Sequence, residues 1–345
     1  MLIENLTEST ADAYSAFLLG QPTTLLYQSW RYQLLLADLL GAGQRTILAL
    51  DQDSRIRAAL PLMTFHGEFG TVYNSLPFYG SNGGFIASDH ESAKVLKQVY
   101  SEIVAETRTA SATLIENPLA NIDYEGLAYD FTDRRIGQLT PIAYKDEHAE
   151  RLMQSFHYKT RNMIRKAEKL GVKASVDNAK LDFIEVVHTE NMREIGGRPK
   201  SSRFFKLVPV HFRPHADFRV YVAKIDGEPV AGLLLFYFNQ TVEYYTPVIR
   251  REFRETQALS QAIFIAMSDA SREGYQWWNW GGTWSSQEGV YRFKKRWGTL
   301  DKPYSYYTKL NNTHLRELDQ TKLLGAYPDF YVLPFSTLLA PPTTG

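Results

Sequence analysis

Apolar and polar positions alternate along this chain with two periods, and the order of those periods occurs twice. In RTILALDQDSRIRAALPLMTF (45–65) two alternating runs flank an Asp-Ser turn and predict a hairpin; FRVYVAKIDGEPVAGLLLFYF (218–238) has the same form around Asp-Gly. Another extended segment follows each hairpin, GTVYNSLPFYG (70–80) and QTVEYYTPVIR (240–250). The period then lengthens to that of a helix. Val95, Val99, Ile103 and Val104 mark the first, in HESAKVLKQVYSEIVAETRT (90–109). Leu259, Ile263, Met267 and Ala270 mark the second, in ALSQAIFIAMSDASREG (258–274), where Gly274 supplies the stop. A strand returns after each helix, SATLIENP (111–118) and YQWWNWGG (275–282).

Two copies of hairpin, strand, helix, strand predict a duplicated α/β domain of mixed sheets with flanking helices. The seam is expected near 145–155, where PIAYKDEHAERLMQSF enters a new helix. The partition read from sequence is therefore 1–150, 151–312, and an extension at 313–345 that packs on the core. The connecting segment SFHYKTRNMIRKAEKLGVKASV (155–176) predicts a helix ending at Gly171, with Met163, Ile164, Ala167 and Leu170 on its apolar side. Arg161, Arg165 and Lys169 recur every four residues on another side, either a solvated face or a contact to phosphates of a substrate or RNA.

Composition narrows the classes. At 345 residues the length suits about two domains. With 44% hydrophobic and 22% charged residues the chain has the profile of a folded protein rather than a disordered one. The 38 Lys+Arg balance 38 Asp+Glu, so any anion site is local and DNA is not an expected partner. There are no cysteines, which excludes disulfides, thiolate metal sites and a cysteine nucleophile. MLIENLTESTADAYSAFLLG has no apolar core of signal-peptide type, and a cytoplasmic protein is expected. No window is apolar enough to span a bilayer; YPDFYVLPFSTLLAPP is the one end that leaves peripheral membrane contact open.

The sequence holds no G-x-x-x-x-G-K-[ST], no G-x-G-x-x-G after a strand, no H-E-x-x-H and no G-x-S-x-G. His211 and His215 are four apart but separated by Pro214, so no metal site is expected. What stands out is EGVYRFKKRWG (288–298), four cations among three aromatic residues just past YQWWNWGG. Strand ends of this kind are where α/β sheets usually bind ligands. Lys294, set among Phe293, Trp297 and Trp280, is the first candidate: low polarity strengthens its attraction to a developing oxyanion or a phosphate. A surface cation–π cluster holding the loop is the alternative.

At this point the chain resembles a known family. The succession RNMIRKAEKLGV, VAGLLLFYF, VEYYTPV, SREGYQWWNWGG and GVYRFKKRWG is similar to the second domain of the FemABX peptidyltransferases and their FemAB-like acyltransferase relatives. QSWRYQLLL, ALPLM and SLPFYGSNGG extend the likeness more loosely into the first half. The resemblance implies two tandem GNAT-like (acetyltransferase-type) domains that pass an aminoacyl or acyl group to an amine, often of a cell-envelope precursor, in a cleft between the domains. It implies roles for Lys294 with Phe293 before it and for Tyr245, and an aminoacyl-tRNA as donor. No tightly bound cofactor or metal is required; the expected partners are an amine acceptor and tRNA.

Around these, Trp30, Arg193, Arg198, Asn279, Trp280, Arg292 and Trp297 are candidate substrate contacts. Phe78 and Tyr79, beside three glycines in SLPFYGSNGGF, are candidates for stacking on sugar or peptide. Arg193, Arg198, Lys200 and Arg203 belong to a basic loop, 188–205, that could hold a phosphate or carboxylate. Tyr245, Glu243, Glu288, Asp89 or a water is left open as the group that takes the amine proton.

Three departures qualify the likeness. IRREFRETQALS (249–260) has no glycine where coenzyme A enzymes place a pyrophosphate loop, although Arg250, Arg251 and Arg254 could offer charge. An aminoacyl-tRNA donor therefore fits better than acyl-coenzyme A. QSWRYQLLLADL offers Arg31 but not the lysine with which muropeptide-using members hold a diphosphate, and no long two-helix arm is encoded. Acyl-coenzyme A dependent acylation of an amino sugar in polysaccharide assembly is the second enzymatic reading, and a non-catalytic RNA- or saccharide-binding module the third.

Overall fold

The computed structural model describes residues 1–76, 82–284 and 286–339. The chain forms two compact units, Met1–Arg135 with Pro303–Gly345, and Ile136–Lys302. The divisions fall at 135/136 and 302/303, where the sequence partition has 150 and 312; the chain passes from one unit to the other inside two strands. The reason is local: each of these strands is one uninterrupted extended run, so no composition break marks the seam.

In the first unit, strands β1 (Leu2–Asn5), β3 (Ile47–Leu50), β4 (Ile56–Leu60) and β7 (Ile86–Ala87) form an antiparallel sheet, with helices α1 (Ala11–Leu19) and α2 (Trp30–Leu40) between β1 and the short β2 (Gly43–Gln44). The predicted second strand of the first hairpin is broken. After β4, Pro61 and Leu62 redirect the chain into β5 (Met63–Gly67), which pairs with β2 and β6 (Gly70–Asn74) instead. Proline lacks the N–H that a continuous ladder needs. Helix α3 (His90–Val104) stops short of the predicted 109, and its core face is Ala93, Leu96, Tyr100 and Ile103, with Val95 and Val99 half-buried at the flank. Counting Tyr100 as a core residue rotates the face; its ring packs on Phe85. β8 (Thr109–Ile115) then lies parallel to β6. The segment after 312 docks here: Asn74 and Tyr331 exchange two hydrogen bonds at 2.8 Å, and Tyr327 donates to the Gly70 carbonyl at 3.0 Å.

The strand β9 (Phe131–Pro141) leads into the second unit, followed by α4 (His148–Ser155), α5 (Tyr158–Lys169) and β10 (Lys173–Val176). Gly171 closes α5 at φ 73°, as its stop position requires, and Ile164 and Ala167 are its buried side. Arg165 and Lys169 are exposed, whereas Arg161 donates to the Phe156 carbonyl. The predicted basic loop 188–205 is mostly helical: α6 (Leu181–Glu194) and α7 (Ser202–His211) leave only 195–201 between them.

The sheet of this unit runs β10, β11 (Phe218–Ile225), β12 (Glu228–Phe238), β13 (Thr241–Ile249), then a second strand β14 (Trp277–Thr283) and β9. All neighbours are antiparallel except β13 and β14. The crossover between those two is α8 (Ala258–Arg272), which buries Ile263, Met267 and Ala270 as its periodicity predicts. α9 (Glu288–Lys295) follows β14, β15 (Leu300–Leu310) returns to the first unit beside β8, and α10 (Gln320–Ala326) closes the described fold. Among the described residues no helix is long and apolar enough to cross a membrane.

Candidate active site

The site is set by how β13 and β14 part. They pair through three rungs only, Thr241↔Trp277, Val242↔Trp278 and Glu243↔Asn279, although the strands run on to Ile249 and Thr283. Each is irregular directly beyond the last rung. In β13, Tyr245 is the extra residue of a bulge, since Tyr244 faces Leu235 and Thr246 faces Leu234. In β14, Trp280 and Gly281 lie where β9 supplies Gln138 alone, and Gly281 takes φ 74°. Glycine adopts that conformation without a Cβ penalty. Bulges bend and twist their strands. Two of them at one level on adjacent parallel strands open the sheet at its carboxyl-end side, where ligands enter α/β sheets.

Lys294 reaches the far end of β14, beyond its last rung with β13, from the last turn of α9. It is 7% exposed, and its Nζ donates to Thr283 Oγ1 at 2.8 Å and to the Gly282 carbonyl at 3.2 Å, with the Gly281 carbonyl at the limit of 3.5 Å. Thr283 Oγ1–H in turn donates to Gln138 Oε1 at 3.0 Å, and the Gln138 amide donates to the Tyr291 carbonyl and Thr299. Burial pulls the Lys294 pKa down to about 8, and among the described residues no carboxylate ion-pairs with it. At neutral pH the group is still mostly an ammonium, held dry and aimed at the end of β14.

Beside Lys294 in sequence, Phe293 and Trp297 pack into the aromatic core around Trp280. Trp280 lies 5.6 Å from Trp297, 6.0 Å from Phe293 and 4.7 Å from Tyr244, centroid to centroid, while Trp297 packs edge-on to Phe156 at 5.0 Å. Trp280 Nε1 donates to Thr140 Oγ1 at 2.9 Å. Trp297 is wholly buried and Trp280 nearly so. Both belong to the core cluster of this unit rather than offering a substrate-facing surface, a correction to the reading of them as contacts.

Tyr245 points to the other face from Tyr244. Its ring stacks on Phe204 at 5.6 Å and 15°, meets Phe236 edge-on at 4.9 Å, and carries the Lys200 ammonium 5.2 Å from its centroid. The Lys200 backbone N–H donates to Nε2 of buried His188 at 3.0 Å. Burial lowers Lys200 to about 8, and burial together with the Lys200 charge lowers His188 to about 4. Asn279 is buried on the last rung, where its Oδ1 accepts the Gly281 N–H at 2.9 Å and so supports the bulge.

The remaining expectations divide. Arg292 is bound to Glu288 one helical turn away at 2.6 Å, on the exposed side of α9, so neither faces the opening. Asp89 caps α3 by accepting the Ser92 N–H and pairs with Arg57, which together hold its carboxyl below the usual range and make it a poor proton acceptor. Arg193, in the last turn of α6, and Arg198, in the 195–201 loop, are exposed. Trp30 opens α2 in the first unit, half-buried. Phe78 and Tyr79 lie outside the described residues. Arg251 and Arg254 converge on Glu194, and Arg250 lies over the Phe183 ring at 5.6 Å. Among the described residues no group of three His, Asp or Glu could hold a metal ion.

Sequence reasoning passed over His188, Gln138 and Thr283, and read Lys200 only as part of a basic loop. Lys200 and His188 are joined across a helix end, and no spacing signals that. Thr283 was adjacent to the glycine pair and could have been found from it.

The Acetyltransferase (GNAT) domain family matches residues 154–295, the stretch that holds β13, α8, β14 and Lys294. No curated protein matches the chain in sequence. Among solved structures the fold is similar to that of FemX, at 17% identity and a TM-score of 0.72 over 91% of this chain and 98% of that one. It is also similar to the C-terminal DUF2156 domain of a candidate lysylphosphatidylglycerol synthetase from Agrobacterium fabrum, at 11% identity, TM-score 0.55, and 93% and 95% coverage. A tandem GNAT protein from the clavulanic acid biosynthesis pathway aligns at 9% identity, TM-score 0.50, and 90% and 98% coverage. The fold is that of these structures, and the second unit contains the match to the Acetyltransferase (GNAT) domain family.

Proposed function

We propose that this chain, a GNAT-fold acyltransferase of FemAB type, transfers an aminoacyl group from an activated ester to the amine of a cell-envelope precursor. The observation that carries the reading is the buried Lys294 ammonium held at the end of β14, beyond the last rung that β14 shares with β13. The amine nitrogen attacks the donor carbonyl carbon, a C–N bond forms, and the carbonyl oxygen becomes an oxyanion. Lys294 donates Nζ–H to that oxygen. Collapse breaks the bond to the leaving alkoxide, which takes up a proton, while the nitrogen loses its own to a base. Such preorganised donors in a dry site contribute about 100- to 1000-fold in kcat. An activated ester needs no nucleophilic triad, only a positioned amine and this cation.

The amino end of α8 favours an aminoacyl-tRNA over acyl-coenzyme A. A pyrophosphate would need free amides there. Instead Ala258 N–H is taken by Thr256 Oγ1 at 3.3 Å, the preceding turn has no glycine, and Arg254 is paired with Glu194, which Arg251 also approaches at 3.6 Å. Such a donor is met in the cytoplasm, where we place the reaction. Of the four candidate bases, Glu243 and Tyr245 stand at the opening.

Incubation with aminoacyl-tRNA or with acyl-coenzyme A, followed by mass spectrometry of an amine acceptor, tests the reading. Transfer that depends on charged tRNA and is abolished by RNase is expected. Transfer from acyl-coenzyme A alone would replace it with N-acylation of an amino sugar.

A further inference from the structure

We propose that Lys200 is a positioning residue for Tyr245, fixing its ring beside the bulge of β13, and that His188 fixes Lys200 in turn. The inference deepens the acyl-transfer reading and rests on it. Its starting point is the bulge. Tyr245 is the residue that the β12 ladder leaves without an opposite number, so strand pairing does not dictate where its side chain goes. Side-chain contacts must do so.

One short segment supplies most of them. Phe204 stacks on the Tyr245 ring at 5.6 Å, and Lys200, four residues earlier, puts its ammonium 5.2 Å from the ring centroid. Phe236 of β12 closes the edge. A cation over an aromatic face is attracted by the ring quadrupole, and desolvation strengthens the attraction. Lys200 has been desolvated: burial lowers it to about 8, which leaves it largely protonated at neutral pH.

A flexible lysine would hold nothing unless its own backbone were held. Ser201 caps α7 by accepting the Phe204 N–H at 3.3 Å, and His188 Nε2 accepts the Lys200 N–H at 3.0 Å. An Nε2 that accepts is unprotonated, so the neutral ring carries its proton on Nδ1. With its pKa near 4, His188 remains in that form at neutral pH. The chain of dependence thus runs from His188 on α6, through Lys200 in the loop, to Tyr245 on β13. A misplacement of about 1 Å near reacting atoms is sufficient to cost about 100-fold in rate, so the arrangement acts on turnover more than on affinity.

The test uses the full chain with ring-labelled tyrosine, the Tyr245 signals being identified by their loss in Tyr245→Phe. In Lys200→Met the Tyr245 ring signals are expected to shift and its ring flips to accelerate, with kcat down about 10- to 100-fold and KM within about twofold. Lys200→Arg, which keeps a cation over the ring, restores both the signals and most of the rate; His188→Gln falls between. Tyr245 signals of Lys200→Met that superimpose on wild type would overturn the proposal, as would an arginine variant that restores the signals but not kcat. Should wild type transfer from no donor, the acyl-transfer reading fails by itself, and the ring signals still decide whether Lys200 holds Tyr245.

Discussion

The two halves of this chain share an element order but treat their parallel strand pairs differently. In the first unit the β6–β8 ladder shifts register at its start, between Thr71↔Thr109 and Val72↔Ser111, and is then paired through Asn74↔Thr113; beyond that rung Ser75 N–H donates to the Thr113 carbonyl at 3.0 Å while Ile115 N–H donates to Ser75 Oγ at 2.8 Å. In the second unit β13 and β14 separate after Glu243↔Asn279, through a bulge in each strand, and Lys294 donates to the freed end of β14. The strand order alone therefore creates no site. Chemistry becomes available where the interruption lies at the carboxyl end of the pair, whereas in the first unit it lies at the start and Ser75 carries the pairing past the last rung.

The largest effect that sharpens this contrast is electrostatic. The Lys294 pKa is lowered in the folded protein, so the unfolded chain binds more protons and stability rises with pH between about 8 and the ordinary lysine value. The buried charge costs on the order of 3 kcal/mol below pH 8. Buried tyrosines with raised pKa values oppose this rise equally in both proteins, so the expected readout is the difference: unfolding of wild type and Lys294→Met by denaturant shows wild type gaining relative to the variant between pH 7 and pH 10. Equal changes in both proteins would mean that Lys294 is solvated.

Next in size is Gly281→Ala. A Cβ at φ 74° costs about 1–2 kcal/mol, and relief of that strain would flatten the β14 bulge and re-zip the opening. Lower Tm together with lower kcat is the expected outcome; loss of stability with unchanged turnover would separate the bulge from the chemistry.

In the first unit Ser75→Ala strands the Ile115 N–H, at a cost of about 1 kcal/mol or slightly more, read as a shift in the denaturation midpoint at unchanged slope. The smallest effect belongs to Arg292→Ala, which removes an exposed pair one helical turn apart and shifts stability by only about 0.3–0.5 kcal/mol. A larger shift would show that the guanidinium does more than pair with Glu288.

Much of the fold was legible because it is written in periodicity. The hairpin turns, the α8 face of Ile263, Met267 and Ala270, and the Gly171 stop are local signals, and local signals survive folding. Pro61 was visible in the sequence too, yet whether a proline bends a strand or ends a sheet depends on which neighbours are free to pair. Lys294 could be picked out because four cations among aromatic rings after a glycine pair is an unusual composition. The bulge at Tyr245 could not be read, since one extra residue leaves the alternation of VEYYTPV almost unchanged. Nor could the fates of Trp297 and Arg292: an aromatic residue and a cation near a site look alike in sequence whether they face a ligand, a core or a carboxylate one turn away.

The central claim is that the Lys294 ammonium stabilises the oxyanion at the open end of β14. Single-turnover transfer from a charged tRNA by Lys294→Met, compared with wild type at saturating acceptor, tests it most directly. The account predicts a rate about 100-fold lower or worse with donor binding preserved. A variant that transfers within about threefold of wild type would contradict it.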